Sequence, residues 1–239
     1  MDGSWTELAD GVLARRHAEL DLTTGLVLGG DRALVIDTRG DDRQGAELAG
    51  AVRELTALPV LVVITHAHFD HCFGTSAFPG SPVYAQAGCA AAVAVTVAAQ
   101  KAQWVRHYRD TGDRDTADAL AGTTPVLPDH PVCPRPGSSH HLDLGGRVVE
   151  LLHPGPAHTG HDLAVHVPDA AVLFAGDLLE NGAPPSVGPD AYPGRWADAL
   201  AEVLTRDALR YVPGHGDPMT PGEAARQQAS LARPPRAAP

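Results

Sequence analysis

Short apolar runs bounded by glycine-rich turns open the chain. Gly11 to His17, Gly25 to Leu28 and Ala33 to Asp37 each read as a strand, with Gly29-Gly30-Asp31 as the hairpin turn between the last two. From Asp41 to Leu58 the period changes. Ala46, Leu48, Ala49, Val52 and Leu55 recur at helical spacing, Asp41 or Asp42 can cap the first turn, and Pro59 ends the helix. Val60 to Ile64 is then apolar at every position, the pattern of a strand buried on both faces, which predicts a central strand with a packed layer on each side. A strand over Pro82 to Ala85 and an Ala-rich helix over Gln86 to Arg109 follow. Residues 110–138 combine a short helix with a proline-rich connection, and the whole segment 86–138 reads as a lid or insertion over a binding site.

The second half repeats the strand grammar of the first. Strands are predicted over His140 to Leu144, Arg147 to Leu152, Leu163 to Val167 and Ala171 to Ala175, joined by Gly145-Gly146 and Pro168-Asp169 turns. A helix from Pro193 to Thr205, a strand from Leu209 to Val212 and a helix from Pro221 to Ala232 complete the pattern. Two similar halves imply an α/β fold: an αββα four-layer sandwich, sheets inside and helices outside, as a single domain over 1–232. The tail at 233–239, within ARPPRAAP, is expected to be disordered.

Composition narrows the function classes. Aromatics are 5% of the chain against 44% hydrophobic residues, so the core is aliphatic. With 18 Lys plus Arg against 29 Asp plus Glu the formal net charge is −11, a surface that repels phosphate backbones and argues against a nucleic-acid partner. An anionic substrate would need local compensation from arginines or a metal. Cys72, Cys89 and Cys133 lack CxxC spacing and imply no disulfide framework. The N-terminus lacks an apolar leader and no stretch is long enough to span a membrane, so a soluble, cytoplasmic protein is expected.

The chemistry gathers where the oily strand stops. His66, His68, Asp70 and His71 fall within six positions of one another, a mixture of imidazole and carboxylate that suits a borderline divalent cation such as zinc. If the backbone stays extended, residues 66 and 68 point the same way, and 70 and 71 point elsewhere after a turn, so one stretch could feed two adjacent metals. His158 in GPAHTGHD, Asp177 in VLFAGDLL and His215 in YVPGHGDP each sit at a predicted strand end, where they could converge at one sheet edge.

In that order, His66-Ala-His68-Phe-Asp70-His71, His158, Asp177 and His215 resemble the metallo-β-lactamase-fold hydrolase superfamily, over nearly the whole chain from Val35-Ile36-Asp37-Thr38 to Gly214-His215-Gly216. The resemblance implies that His66, His68 and His158 hold one metal, that Asp70, His71 and His215 hold the second, and that Asp177 bridges them. It further implies two zinc ions, with iron or manganese as substitutes, and a metal-bridging hydroxide that attacks a carbonyl. Asp70 and Asp177 are the candidate catalytic carboxylates, and Asp70 or a water carries the proton to the leaving group. Asp37, Thr65, Thr159 and Asp162 are candidates for orienting the ligands. His161 reads as a structural loop residue, Cys72 as packing, and His140, His141, His153 and His166 as strand residues without a site role.

The seven-residue ligand set is similar to that of glyoxalase II-type thioesterases and lactonases. The implied activity is hydrolysis of an ester, thioester, lactone or lactam in a small molecule. A glutathione thioester is disfavoured because 24 residues follow His215, and HTGHD departs from the HTPGH wording of glyoxalases. The alternatives are a mononuclear iron persulfide dioxygenase and a non-catalytic binding module on the same fold. Residues 86–138 and 180–194 are expected to build the pocket walls. Trp104, His107, Tyr108, Tyr192 and Trp196 are the candidates for reaching substrate, against a core-packing role for Trp104, Tyr108 and Trp196.

Overall fold

The computed structural model describes residues 3–135 and 137–232, so the expectation for the tail at 233–239 lies outside the described residues. The first half runs β1 (Trp5–Ala9), β2 (Val12–Arg16), a 3₁₀ turn (Glu19–Asp21), β3 (Thr23–Leu28), β4 (Ala33–Ile36), α1 (Asp42–Leu55) and β5 (Val60–Val63). It continues through α2 (Phe69–Cys72), a second 3₁₀ turn (Phe73–Ala77), β6 (Val83–Gln86), α3 (Cys89–Thr111), α4 (Arg114–Gly122) and β7 (His130–Val132). The second half contains β8 (His140–Asp143), β9 (Val148–Leu152), β10 (Ala164–Val167), β11 (Val172–Glu180), α5 (Pro193–Val203), β12 (Arg210–His215) and α6 (Pro221–Leu231).

Two mixed sheets result. The first is ordered β1-β2-β3-β4-β5-β6-β7, antiparallel as far as β4 and parallel beyond it. The second is ordered β12-β11-β10-β9-β8, with β11 and β12 parallel and the rest antiparallel. Three apolar layers separate the sheets and helices. Leu34, Ile36, Leu61 and Val63 from the first sheet meet Leu151, Val165, Val167 and Phe174 from the second. On the outer face of the first sheet, Val35, Val62 and Ile64 pack under Leu48 and Val52 of α1. Leu152, Leu173 and Tyr211 pack under Trp196 and Leu200 of α5. This is the four-layer αββα sandwich, and it explains the unbroken apolar run of β5, whose alternate side chains enter two different cores.

Several boundaries differ from the sequence pattern. β1 has no apolar face of its own, since its residues are only exposed or half-buried, and alternation could not reveal it. Helix α1 begins at Asp42, with the buried Asp41 as its cap accepting from Gln44 N at 2.7 Å. The 86–138 segment carries the long and the short helix expected of it, and in addition a strand. It holds α3 and α4, and β7 joins the first sheet beside β6.

Candidate metal centre

The loop after β5 is held from two sides. Thr65 donates through its backbone N and its Oγ1 to the Asp37 carboxylate, both at 2.8 Å. Asp37, just past β4, adopts left-handed backbone (φ 63°) to reach it. From the helical side, Gln100 of α3 accepts from Phe69 N at 2.8 Å and donates to Ala67 O at 2.9 Å. His68 is still extended, and α2 then turns Asp70 and His71 to a different direction. His158 lies in the β9–β10 loop, where Asp162 accepts from Thr159 N and from Thr159 Oγ1 (2.6 Å), and Leu163 N donates to Thr65 O at 2.8 Å.

Asp177 and His215 lie inside strands rather than beyond them. The sequence pattern ends the two strands at Ala175 and Val212, but β11 continues to Glu180 and β12 to His215. All nine residues of β11 are buried, and its pairing with β12 passes through irregularities at Gly176 instead of stopping. Gly176 (φ 53°) leaves room for Thr65, because a Cβ there would come within 2.8 Å of Thr65 Oγ1. A Cβ on Gly214 would collide with the Asp177 carboxylate.

These elements bring the donors together in two groups, each within 4.8 Å: His66, His68, His158 and Asp177, and Asp70, His71 and His215. In the first, His68 Nδ1 lies 3.1 Å from His66 Nε2 and 2.9 Å from His158 Nε2, and Asp177 Oδ2 is 3.7 Å from His66 Nε2 and 3.4 Å from His158 Nε2. In the second, His71 Nε2 and His215 Nε2 are 3.4 Å apart, and Asp70 Oδ2 lies 3.7 and 3.4 Å from them. Asp177 Oδ1 is 3.1 Å from His71 Nε2 and 3.4 Å from His215 Nε2.

The tautomers show what such a cluster fits. His71 Nδ1 faces Asp37 Oδ2 (2.7 Å), His215 Nδ1 faces the carbonyl of Leu20 (2.8 Å), and His158 Nδ1 faces the carbonyl of Ser186 (3.1 Å). His68 Nε2 faces Asp190 Oδ2 (3.1 Å). His66 Nδ1 faces Thr65 Oγ1 (3.1 Å), whose own hydrogen goes to Asp37. Every outer nitrogen therefore carries the ring hydrogen, and all five inner nitrogens point lone pairs at one another and at carboxylate oxygens. Lone pairs this close repel unless a cation lies between them. A tetrahedral cation with bonds of ~2.0–2.2 Å spaces its donors about 3.3–3.6 Å apart, which these distances bracket. Asp177 Oδ1, buried without a hydrogen-bond partner, fits the same reading. A binuclear metal-binding site of this fold type is present, and its donors suit zinc, iron or manganese alike.

Electrostatics agree. Burial opposes charge on His71, yet Asp177, Asp70 and Asp37 raise its pKa well above the ordinary imidazole value. His215, also opposed by burial, is pushed up to about 10 by Asp177 and Asp70. Burial opposes charge on Asp177, and four imidazoles still hold it well below the usual carboxylate range. The buried carboxylates thus demand positive charge beside them, from protons or from a metal.

A cavity of about 630 Å³ opens over both groups. Trp104 lines it, whereas Trp196 is fully buried with its indole N–H donating to Leu178 O, and Tyr108 is buried and donates to Glu19. His107 and Tyr192 do not line this cavity. His161 hydrogen-bonds Thr159 Oγ1 (3.1 Å) and borders the cavity outside both donor groups, and Cys72 packs with its thiol donating to His68 O. His140, His141, His153 and His166 stay outside the donor groups. Sequence reasoning missed Asp190 and the carbonyls of Leu20 and Ser186. A carbonyl carries no residue signature, and Asp190 sits in a Gly/Pro stretch that reads as an ordinary turn.

Comparison with known proteins adds an independent line. The family model of the metallo-β-lactamase superfamily matches residues 21–215. A metallo-β-lactamase type 2 of Bacillus cereus is 27% identical over 201 residues, covering 82% of this chain. The chain spans about two thirds (67%) of that protein. A metallo-β-lactamase structure from Pontibacter korlensis superposes with a TM-score of 0.74 at 20% identity, covering 96% of this chain and 99% of the other. One from Hirschia baltica gives 0.73 at 19% identity, covering 98% and 99%.

Proposed function

The chain belongs to the metallo-β-lactamase superfamily, and from that premise we infer a metal-dependent hydrolase that uses two zinc ions to cleave an ester, thioester, lactone or lactam bond in a small molecule. One observation carries the reading: five imidazoles, each with its hydrogen turned outward to a fixed acceptor, aim their free nitrogens at two points that share Asp177. In this reading His66, His68 and His158 would hold one cation and Asp70, His71 and His215 the other, with Asp177 serving both. Two divalent cations so held supply Lewis acidity, lowering the pKa of water toward neutrality and polarising a carbonyl.

The chain's own residues do the rest. Asp37 anchors His71 directly and His66 through Thr65, fixing rings from both groups with one carboxylate. Asp70 borders the cavity and is the carboxylate we assign to carry a proton to the leaving group. Trp104, its ring against that of Phe69 with centroids 4.7 Å apart and planes tilted by 33°, gives the substrate an apolar surface.

The test is a panel of esters, thioesters, lactones and lactams offered to zinc-loaded protein, with His66→Ala as control. Turnover of at least one class, lost in the variant, is expected. A panel left untouched, or a variant as fast as wild type, contradicts the reading. A mononuclear iron dioxygenase needs two imidazoles and one carboxylate, which leaves one donor group idle. Oxygen uptake with glutathione persulfide by the iron-loaded protein would favour that alternative.

A further inference from the structure

The turn that reaches His215 has a backbone its residues do not favour. Leu20 (φ 54°) and Asp21 (φ 58°) both lie in the left-handed region, where a side chain crowds its own backbone and glycine alone sits without cost. Such a conformation persists only where its surroundings fix it. Its result is two successive contacts at the end of β12. Leu20 O accepts from His215 Nδ1 and Asp21 O accepts from Gly216 N, both at 2.8 Å.

Leu20 contributes little to fixing the turn, since its side chain is half-buried and borders the cavity. The residues on either side of it do more. Arg16 pairs with both oxygens of Asp21, through Nη2 at 2.8 Å and through Nε, and its Nη1 reaches Asp217 at 2.5 Å. All three of these side chains are exposed, so water and salt screen the pairing. Glu19 is bound from the protein side instead. Its Oε1 accepts from the hydroxyl of Tyr108, and its Oε2 makes a long contact with Gln44 Nε2 at 3.4 Å. Tyr108 is 5% exposed and lies in the last turn of α3, where solvent does not compete for its hydroxyl. Helix α3 therefore meets the metal centre twice. Gln100 fixes the loop at Ala67 and Phe69, and two turns later Tyr108 reaches, through Glu19, the turn whose carbonyl stands behind His215.

We propose that Tyr108 is a positioning residue for the second donor group: its hydroxyl, bound to Glu19, locks the strained Leu20–Asp21 turn and so keeps the Leu20 carbonyl on His215 Nδ1. It rests on the two-cation reading above only for what zinc would report.

Tyr108→Phe removes the hydroxyl and leaves the ring in its packing. The first measurement is residue-resolved amide hydrogen exchange on metal-free protein. Gly216 N should exchange ~10-fold faster in the variant relative to Asp37 N, which donates to Val63 O beside the other imidazole of the group, His71. Glu19→Ala should reproduce the effect. Glu19→Gln, which keeps an acceptor for the Tyr108 hydroxyl, should stay within about twofold of wild type. The second measurement is zinc competition with a chelator. Tyr108→Phe should weaken one position about tenfold and leave the other unchanged. In an Asp70→Ala background, where the second position is already lost, Tyr108→Phe should leave the remaining zinc as tightly bound as before. Exchange that rises equally at Gly216 and Asp37, as a general loss of stability would produce, or that does not change, overturns the proposal. So does equal weakening of both zinc positions. If wild type takes up no second zinc, it is the two-cation reading that fails, and the exchange measurement still decides the role of Tyr108.

Discussion

His68 and His158 lean on a loop, whereas His71 and His215 are braced by the fold. The outer partners of the first pair are Asp190 and the carbonyl of Ser186, both exposed and both in the irregular stretch between β11 and α5. The second pair has Asp37, 2% exposed at the end of β4, and the carbonyl of Leu20. The turn carrying Leu20 is itself fastened to β12: Gly216 N donates to Asp21 O at 2.8 Å, and Thr23 Oγ1 donates to Gly216 O at 2.8 Å. His66 is the exception in the first group, because it reaches Asp37 through Thr65. One donor group is therefore set by the core, and the other partly by a loop that is also the cavity wall. Both groups border the cavity, but only the first takes its outer partners from the exposed stretch around Asp190 and Ser186.

Four substitutions or titrations test that contrast. Asp177→Ala removes the one side chain common to both groups. Hydrolysis should fall by more than ~10³-fold, the several kcal/mol of charge stabilisation that two cations provide, and bound metal should fall with it. Asp37→Ala strikes both groups from the core side, leaving His71 Nδ1 buried and unpaired. Zinc affinity should weaken roughly 10–100-fold at each position, with a stability loss of about 1–3 kcal/mol in denaturant melts. Asp190→Asn should weaken one zinc position by about tenfold and leave the other unchanged in competition titrations with a chelator. Equal weakening of both would erase the contrast.

The smallest effect is a pH dependence of the brace near Leu20. His17, 1% exposed and hydrogen-bonded to Thr24 Oγ1, is driven down to about 3 by burial and by the charges of Arg39 and Arg15. Its folded value lies below the unfolded one, so its neutral form is no burden above pH 6.5, and stability is lost as pH falls from 6.5 toward 3. At pH 6 the loss should be about 1 kcal/mol in chemical denaturation, and His17→Gln should flatten that limb.

The contrast also marks what could be read from residues alone. The apolar run of β5 and the HxHxDH stretch are local patterns, so the central strand and the split of donors within it were legible. So was the role open to Asp37, from its place at the end of β4. The pairing of β1 was not, because Trp5–Ala9 has no buried face to print a period on the sequence. The partners of His158 and His215 are carbonyls separated from them by 28 and 195 positions, and any residue would have supplied the same atom. Among the aromatics, Trp196 and Tyr108 pack in the core, as the core-packing reading has it, and it is Trp104 that lines the cavity.

The most direct test of the shared centre is zinc stoichiometry by equilibrium dialysis and elemental analysis, on wild type and on Asp70→Ala. Two equivalents per chain in wild type, falling to one in the variant, is the predicted result. A single equivalent in wild type that Asp70→Ala leaves untouched would contradict the account.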